Sequence, residues 1–215
     1  DGRKEYTVRK SEISFQSVLG CIVIKRGDTQ VQVSAKLVQV APNAKKPNSG
    51  FVKCIFNSDK NIEAQVQNLL NNSQIIPLES LCIKTNLIVN QLQLYCIVLK
   101  QDSDPIPLLL IGCAAASMHL GVETRYIPTV FKFNQQVLDP LIKEETEENV
   151  IVVIDKSGSV VYFQGQLVSF DTIQKLKEVS VFSSQCEEIE KLIKDDIRKR
   201  IELEKQIYRK IDQRR

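Results

Sequence analysis

Residues 31–37 alternate strictly between apolar and polar side chains, and this pattern constrains the fold more than any other feature of the chain. Side chains of a β-strand point to opposite faces with a period of two, so the run predicts a strand with one buried face. After Leu37 the phase shifts, which predicts a bulge near residues 37 and 38. The apolar run at 22–24 precedes this strand, and Gly27 lies between them. The two runs therefore predict an antiparallel hairpin with the glycine in its turn.

Strand patterns and helical patterns alternate along the remainder of the chain. Runs of strand character lie at residues 51–56, 82–99, 126–133 and 150–163. Runs at helical spacing lie at residues 61–71, 106–120 and from 173 towards the end, with a break expected near Ser183 and Ser184. The order β-β-β-α-β-β-α-β-β-β-α predicts an α+β fold in which mixed sheets are covered by helices and a long helix ends the chain.

Two predicted surfaces favour pairing with a further chain. Asn90 and Gln91 are predicted to form the turn of the hairpin over residues 82–99, whose arms are apolar enough for burial on both faces. Pro128 cannot donate a backbone hydrogen bond, so its strand is predicted to lie at a sheet edge. Surfaces of this kind predict a chain that is stable only beside a second subunit.

Cysteine and histidine usage argues against a metal centre and against nucleophilic catalysis. Six cysteines lie far apart, at positions 21, 54, 82, 96, 113 and 186, without a CxxC pair. At least four lie in apolar runs and are interpreted as small buried residues. His119 is the one histidine, so neither a zinc site, a cofactor nor Ser-His or Cys-His chemistry is expected. Unpaired cysteines favour a reducing, intracellular compartment.

Charge and hydropathy exclude two further classes of protein. The chain has 29 basic and 26 acidic residues, a net charge of +3. A dedicated nucleic-acid binder has a strongly basic surface, so any nucleic-acid contact here is expected to be local. The most apolar run, at 106–120, is shorter than the roughly 20 residues that span a bilayer, and it contains Pro107 and Gly112. It predicts a core helix, and the polar first residues predict no signal peptide.

Four segments, in order over most of the chain, carry short motifs of small and charged residues. They are Asp1-Gly2-Arg3 with Arg9, Gly20-Cys21 with Gly27-Asp28-Thr29, the helix segment at 111–116, and Leu138-Asp139-Pro140 with Glu144-Glu145. Together they resemble the RNase PH family, and the last is similar to the form found in exosome ring subunits that lack activity. The resemblance implies an RNase PH-like fold (ribosomal protein S5 domain 2-like), with an N-terminal half over 1–132 and a C-terminal half over 133–215.

Active enzymes of this family degrade RNA from its 3′ end with inorganic phosphate as the nucleophile. That reaction requires fixed cations and amides for the phosphate, and carboxylates for protons or a metal. The resemblance implies a phosphate-binding arginine ahead of the central hairpin, yet residues 61–83 contain neither Lys nor Arg. A Gly-Gly-Thr turn of the active enzymes is replaced by residues 102–107, where Asp102 and Asp104 would repel phosphate and two prolines remove amide donors.

The resemblance also implies a degenerate set of catalytic carboxylates. Asp139 matches the first of them, Asn149 stands at the second, and Glu144 and Glu145 lie between. We therefore expect a structural subunit of the RNA exosome ring that is not an enzyme and that supports 3′-to-5′ RNA processing and degradation by forming an RNA-guiding channel. One alternative is an active phosphate-dependent 3′–5′ exoribonuclease. Another is an unrelated α+β protein whose last helix binds a partner.

The expected partners follow from the same resemblance. They are other RNase PH-like exosome subunits and cap proteins in a hetero-oligomeric ring, with no membrane contact, in the nucleus, nucleolus and cytoplasm. Single-stranded RNA is expected to bind weakly and in a salt-sensitive way, since such binding depends on neutralised phosphates. The candidate contacts are Arg3, Arg9, Arg26, Lys45 and Lys46. Only 6% of residues are aromatic and none is Trp, so no platform for base stacking is expected.

Overall fold

The computed structural model describes residues 9–56, 59–133, 140–141, 150–165 and 181–212. Its strands are β1 (Ser11–Phe15), β2 (Cys21–Arg26), β3 (Thr29–Val40), β4 (Phe51–Phe56), β5 (Cys82–Lys84), β6 (Ile88–Lys100), β7 (Thr129–Phe133), β8 (Val150–Ile154) and β9 (Val160–Gln164). Its helices are α1 (Lys60–Ser73), α2 (Ile106–His119) and α3 (Val181–Asp212), with a 3-10 turn at Leu78–Leu81. The predicted order of elements is confirmed in these ranges, and β1 precedes it as a strand that the sequence pattern missed.

The larger sheet has the strand order β1-β2-β3-β6-β4, with β5 beside β6. The predicted hairpin of β2 and β3 is confirmed, and Gly27 in its turn has a φ of 58°. Pairing of β3 with β6 is regular from Val31 to Val40, and the register shifts only between Gln30 and Val31. The predicted bulge near residues 37 and 38 is therefore wrong. The last residues of β3 are exposed or half-buried on both faces, so the phase change there reflects the end of the covered region.

The turn ahead of β6 lies at residues 85–87, so its predicted position at Asn90 and Gln91 is wrong. Asn86 has a φ of 63°, in the left-handed region that asparagine tolerates better than most side chains. Asn90 and Gln91 instead lie within β6 and pair with β3. A polar pair inside a long, partly solvent-facing strand imitates the composition of a turn.

Within the part of the chain that the structure describes, one face of β6 is covered and the other is exposed. Leu92 and Leu94 are fully buried, whereas Tyr95, Ile97 and Leu99 are exposed by 39%, 40% and 49%. Such exposed apolar side chains are what we expect of a single chain whose hairpin is covered by a second subunit, and burial of this second face stays a prediction. Among the described residues, the helices pack against the inner face of the sheet, and these apolar side chains of β6 are in contact with solvent.

Helix α2 forms the centre of the core. All of its residues except Met118 are buried, and it contacts β2 and β3 of the larger sheet as well as β7 of the smaller one. A helix that is apolar around its whole circumference belongs in the interior. A Cβ atom at Gly112 would lie 2.8 Å from Cγ2 of Val33, so glycine allows the helix to approach β3. The predicted core helix is thus present.

The smaller sheet has the order β7-β8-β9, and every residue of β8 is buried. Strand β7 lies at its edge, as predicted, and Pro128 immediately precedes it. The predicted division between residues 132 and 133 falls inside β7. The last hairpin is also present, with Gly158 at a φ of 80° in its turn.

Helix α3 begins at Val181 and includes Ser183 and Ser184; residues 166–180 lie outside the described ranges, so the predicted break near these serines stays a prediction. Cys186, Ile189 and Ile193 are buried and attach this half of α3 to the core. None of the helices in the described ranges is both long and apolar enough to cross a membrane.

Candidate functional site

The segment between β6 and α2, where the resemblance implies phosphate binding, is closed by its own hydrogen bonds. The amides of Asp102 and Ser103 donate to Oγ1 of Thr29 over 3.0 and 2.8 Å. The hydroxyls of Thr29 and Ser103 are also hydrogen-bonded to each other, 2.8 Å apart, and both residues are buried. Two amides that could bind an anion are therefore already satisfied by a side chain of β3.

In the first turn of α2, a backbone amide is likewise hydrogen-bonded to a side chain of the protein. Oδ1 of Asp104 accepts a hydrogen bond from the amide of Ile106, the first residue of α2, over 2.9 Å. Its Oδ2 lies 2.8 Å from Nζ of Lys132, and both side chains are largely buried. The helix N-terminus favours negative charge, and here the protein supplies its own carboxylate. An incoming phosphate would have to displace it.

Arg9 lies beside this closed segment. Its Nη1 is 3.7 Å from Oδ2 of Asp102, and its side chain is only 16% exposed. The same guanidinium covers the β2–β3 turn so closely that a Cβ atom at Gly27 would overlap it. The cation therefore faces a carboxylate and a turn of its own chain.

The segment that holds the remaining acidic candidates meets this region. A β-bridge joins Ser103 to Leu141, and Pro140 is buried. The two stretches from which the resemblance implies an active site are thus adjacent in space. The candidates that lie outside the described residues, and whose roles stay predictions, are Arg3, Asp139, Glu144, Glu145 and Asn149.

Solved structures share this arrangement of sheets and helices. A chain of the Archaeoglobus fulgidus exosome with RNA bound to the active site matches with a TM-score of 0.72 and 19% identity, over 88% of this chain and 90% of that one. A chain of an archaeal exosome core matches with a TM-score of 0.71 and 20% identity, over 90% of each chain. Rice (Oryza sativa) Rrp46 matches with a TM-score of 0.69 and 14% identity, over 88% of this chain and 97% of that one.

The chain has the RNase PH-like fold. The predicted fold class is therefore confirmed. No protein-family model and no curated protein matches the sequence. The likeness is thus one of three-dimensional structure, which persists after most side chains have changed.

Arg26 is an internal link of this RNase PH-like fold and is not a surface cation. It is 3% exposed, its Nε donates to Oγ of Ser11 over 2.9 Å, and its Nη1 donates to the carbonyl of Val130 over 3.3 Å. Burial is inconsistent with the predicted RNA contact at this position. The sequence suggested exposure because Arg26 adjoins a turn, but its side chain joins the two sheets.

Lys45 and Lys46 remain accessible in the loop between β3 and β4. Both are exposed. Asn43 orders the loop, since its Oδ1 accepts from the amide of Lys45 over 2.8 Å and its carbonyl accepts from the amide of Lys46 over 2.9 Å. These two side chains are the described candidates that an RNA phosphate could reach directly.

The sequence pattern missed a buried network around His119. Its Nδ1 accepts a hydrogen bond from the amide of Gly20 over 3.1 Å, so the proton of the neutral ring is on Nε2, which lies 3.0 Å from Oδ2 of Asp196. Arg200 pairs with the same carboxylate and donates to the carbonyl of Ser17. Burial lowers the pKa of His119 although Asp196 opposes the shift. The network joins α3 to the β1–β2 loop, and we interpret its role as structural.

Proposed function

We propose that this chain is a non-catalytic subunit of an exosome ring that helps to form the channel guiding RNA during 3′-to-5′ processing and degradation. The main support for this proposal comes from the segment between β6 and α2. There the amides of residues 102, 103 and 106 already donate hydrogen bonds to the side chains of Thr29 and Asp104. The likeness to exosome chains supports ring membership. The proposed locations are the nucleus, nucleolus and cytoplasm.

Electrostatics opposes phosphorolysis at this segment. A phosphate placed on the amides of Asp102 and Ser103 would lie beside the carboxylates of Asp102 and Asp104. Two like charges about 4 Å apart repel by roughly 4 kcal/mol near a protein surface. Lys132 is already paired with Asp104, and Arg9 lies against Asp102. The anion would therefore have to break native contacts as well as overcome repulsion.

The proposed partners are other RNase PH-like subunits in the same ring and cap proteins above it. Several large apolar side chains are exposed on the single chain, including Val18, Ile83 and Leu87 at 67%, 51% and 55%. Exposed apolar surface favours association. RNA contact is proposed to be weak and to use Lys45 and Lys46, since phosphate neutralisation by a few lysines is salt-sensitive.

An active exoribonuclease is the second candidate, and the adjacency of Ser103 and Leu141 favours it because the two halves of an active site would still meet. Incubation of the purified chain with 5′-labelled single-stranded RNA, phosphate and Mg²⁺ separates the two. We expect no shortening of the RNA and no release of nucleoside diphosphates, with or without Mn²⁺. Phosphate-dependent release that Asp139→Ala abolishes would establish the exoribonuclease instead.

A further inference from the structure

Three cysteines from three different elements converge between the larger sheet and α2. Cys54 lies on β4, Cys96 on β6 and Cys113 on α2, and their exposed fractions are 3%, 1% and 0%. The sulfur of Cys96 is 3.5 Å from that of Cys54 and 3.7 Å from that of Cys113. All three sulfurs lie within 4.8 Å of one another. Side chains far apart in sequence thus form one compact sulfur triangle.

The size of this triangle suits a bound metal ion. An ion about 2.3 Å from each of three sulfurs in a plane keeps those sulfurs about 4 Å apart. Two of the observed separations are a few tenths of an ångström below that value. Small side-chain adjustments would therefore open the triangle around an ion at its centre, and no separate cavity is needed.

We propose that Cys54, Cys96 and Cys113 form a site for a soft monovalent metal ion of the Cu(I) class. Thiolate ligands select soft ions such as Cu(I), as well as zinc and iron–sulfur clusters. Zinc requires a fourth ligand, and no histidine, aspartate or glutamate of the described ranges joins the sulfur group. Cu(I) is satisfied by two or three sulfur ligands, so the triangle is complete as it stands.

Charge limits how many thiols ionise when the ion binds. Three thiolates with Cu(I) would leave two uncompensated negative charges in an apolar interior, and each buried charge is costly. We therefore expect two protons to leave for solvent and the third thiol to stay protonated, for a net charge of −1. The bound ion would join β4, β6 and α2.

Because the sulfurs are buried, the ion is best supplied while the chain folds. The purified chain is refolded without oxygen in a solution of Cu(I) that the chelator bathocuproine disulfonate buffers. The bound copper and its X-ray absorption are then measured. We expect one equivalent of copper with sulfur neighbours at about 2.3 Å. Copper is measured on chain that circular dichroism shows to be folded, so the outcome does not depend on ring membership and its failure would leave the proposed function untouched.

Substitutions of single cysteines test whether the copper is bound by the sulfur triangle. Cys54→Ser and Cys96→Ser should each lower retention at least tenfold, whereas the partly exposed controls Cys21→Ser and Cys82→Ser should retain one equivalent. Cys54→Ala on the edge strand β4 serves as a second variant, with circular dichroism to confirm that it folds. Retention unaffected by Cys54→Ser and Cys54→Ala, loss on the control substitutions, or no copper in the native chain would overturn the proposal.

Discussion

Thr29 faces the core from β3, and its hydroxyl is shared by the amides of Asp102 and Ser103 and by the hydroxyl of Ser103. In an open phosphate site those amides would face an anion. Here one oxygen satisfies both, which makes the segment part of the folded interior. A change at this single residue therefore tests whether the closure is structural.

Thr29→Val keeps the shape of the side chain but removes the acceptor. Each buried amide left without a partner costs about 1–3 kcal/mol. We expect the free energy of unfolding, measured in urea, to fall by about 2–4 kcal/mol. Thr85→Val, at an exposed turn, should change it by no more than about 0.5 kcal/mol. Equal stability of the two variants would mean that the hydroxyl is dispensable for closure.

His119 makes stability depend on pH. Burial holds its pKa below the 6.5 of an ordinary histidine, so the unfolded chain takes up the proton first as the pH falls. The stabilisation is therefore fully present above about pH 6.5 and is lost as the pH falls through the folded pKa. Protonation of Nδ1 would also break the bond from Gly20.

His119→Gln isolates this effect, because the amide can still donate to Asp196 and accept from Gly20 without titrating. We expect the free energy of unfolding of the native chain to decline below pH 6.5 more steeply than that of the variant. Nearby Asp196 and Arg200 are common to both proteins, so their contributions largely cancel. Parallel pH profiles would contradict the assignment.

Local sequence patterns correctly predicted the helices and hairpins whose formation depends on residues near one another in the chain. The β2–β3 hairpin, β4, α1, α2 and the β8–β9 hairpin follow from apolar periodicity and turn residues. The predicted turn at Asn90 and Gln91 failed because composition alone cannot distinguish a solvent-facing strand from a turn. The burial of Arg26 and the convergence of three cysteines depend on how distant elements pack, which no local pattern contains.

The close contact between α2 and β3 can be tested by a substitution at Gly112. Gly112→Ala would improve helix propensity by up to about 1 kcal/mol, but its Cβ would meet Cγ2 of Val33. Valine is stiff in a strand, so we expect a net loss of about 1–3 kcal/mol in the free energy of unfolding. The double variant with Val33→Ala should lose at least about 0.5 kcal/mol less than the sum of the single changes. Strict additivity in denaturant melts would refute the close contact.

The whole molecule combines an RNase PH-like fold with a segment between β6 and α2 whose amides are already hydrogen-bonded within the chain. Our proposal reconciles the two if the chain acts beside other RNase PH-like subunits, whether these are active or inactive. The fold is one that chains of exosome structures share, and two amides of the segment between β6 and α2 are bonded to Thr29. The sequence motifs predicted the fold, which is confirmed, whereas the predicted loss of activity rests on local substitutions of glycine and arginine and stays a prediction. Which neighbours the chain has depends on surfaces that the motifs do not cover.

Native affinity capture from the cells that make this chain, followed by mass spectrometry of the intact complex, tests ring membership most directly. A stable ring interface would bury more than about 1,000 Å² and should survive gentle purification. We expect one copy of this chain in a complex with other RNase PH-like subunits and cap proteins in fixed stoichiometry. Recovery of the chain as a monomer or only with copies of itself, from a lysate in which those subunits are present, would contradict it.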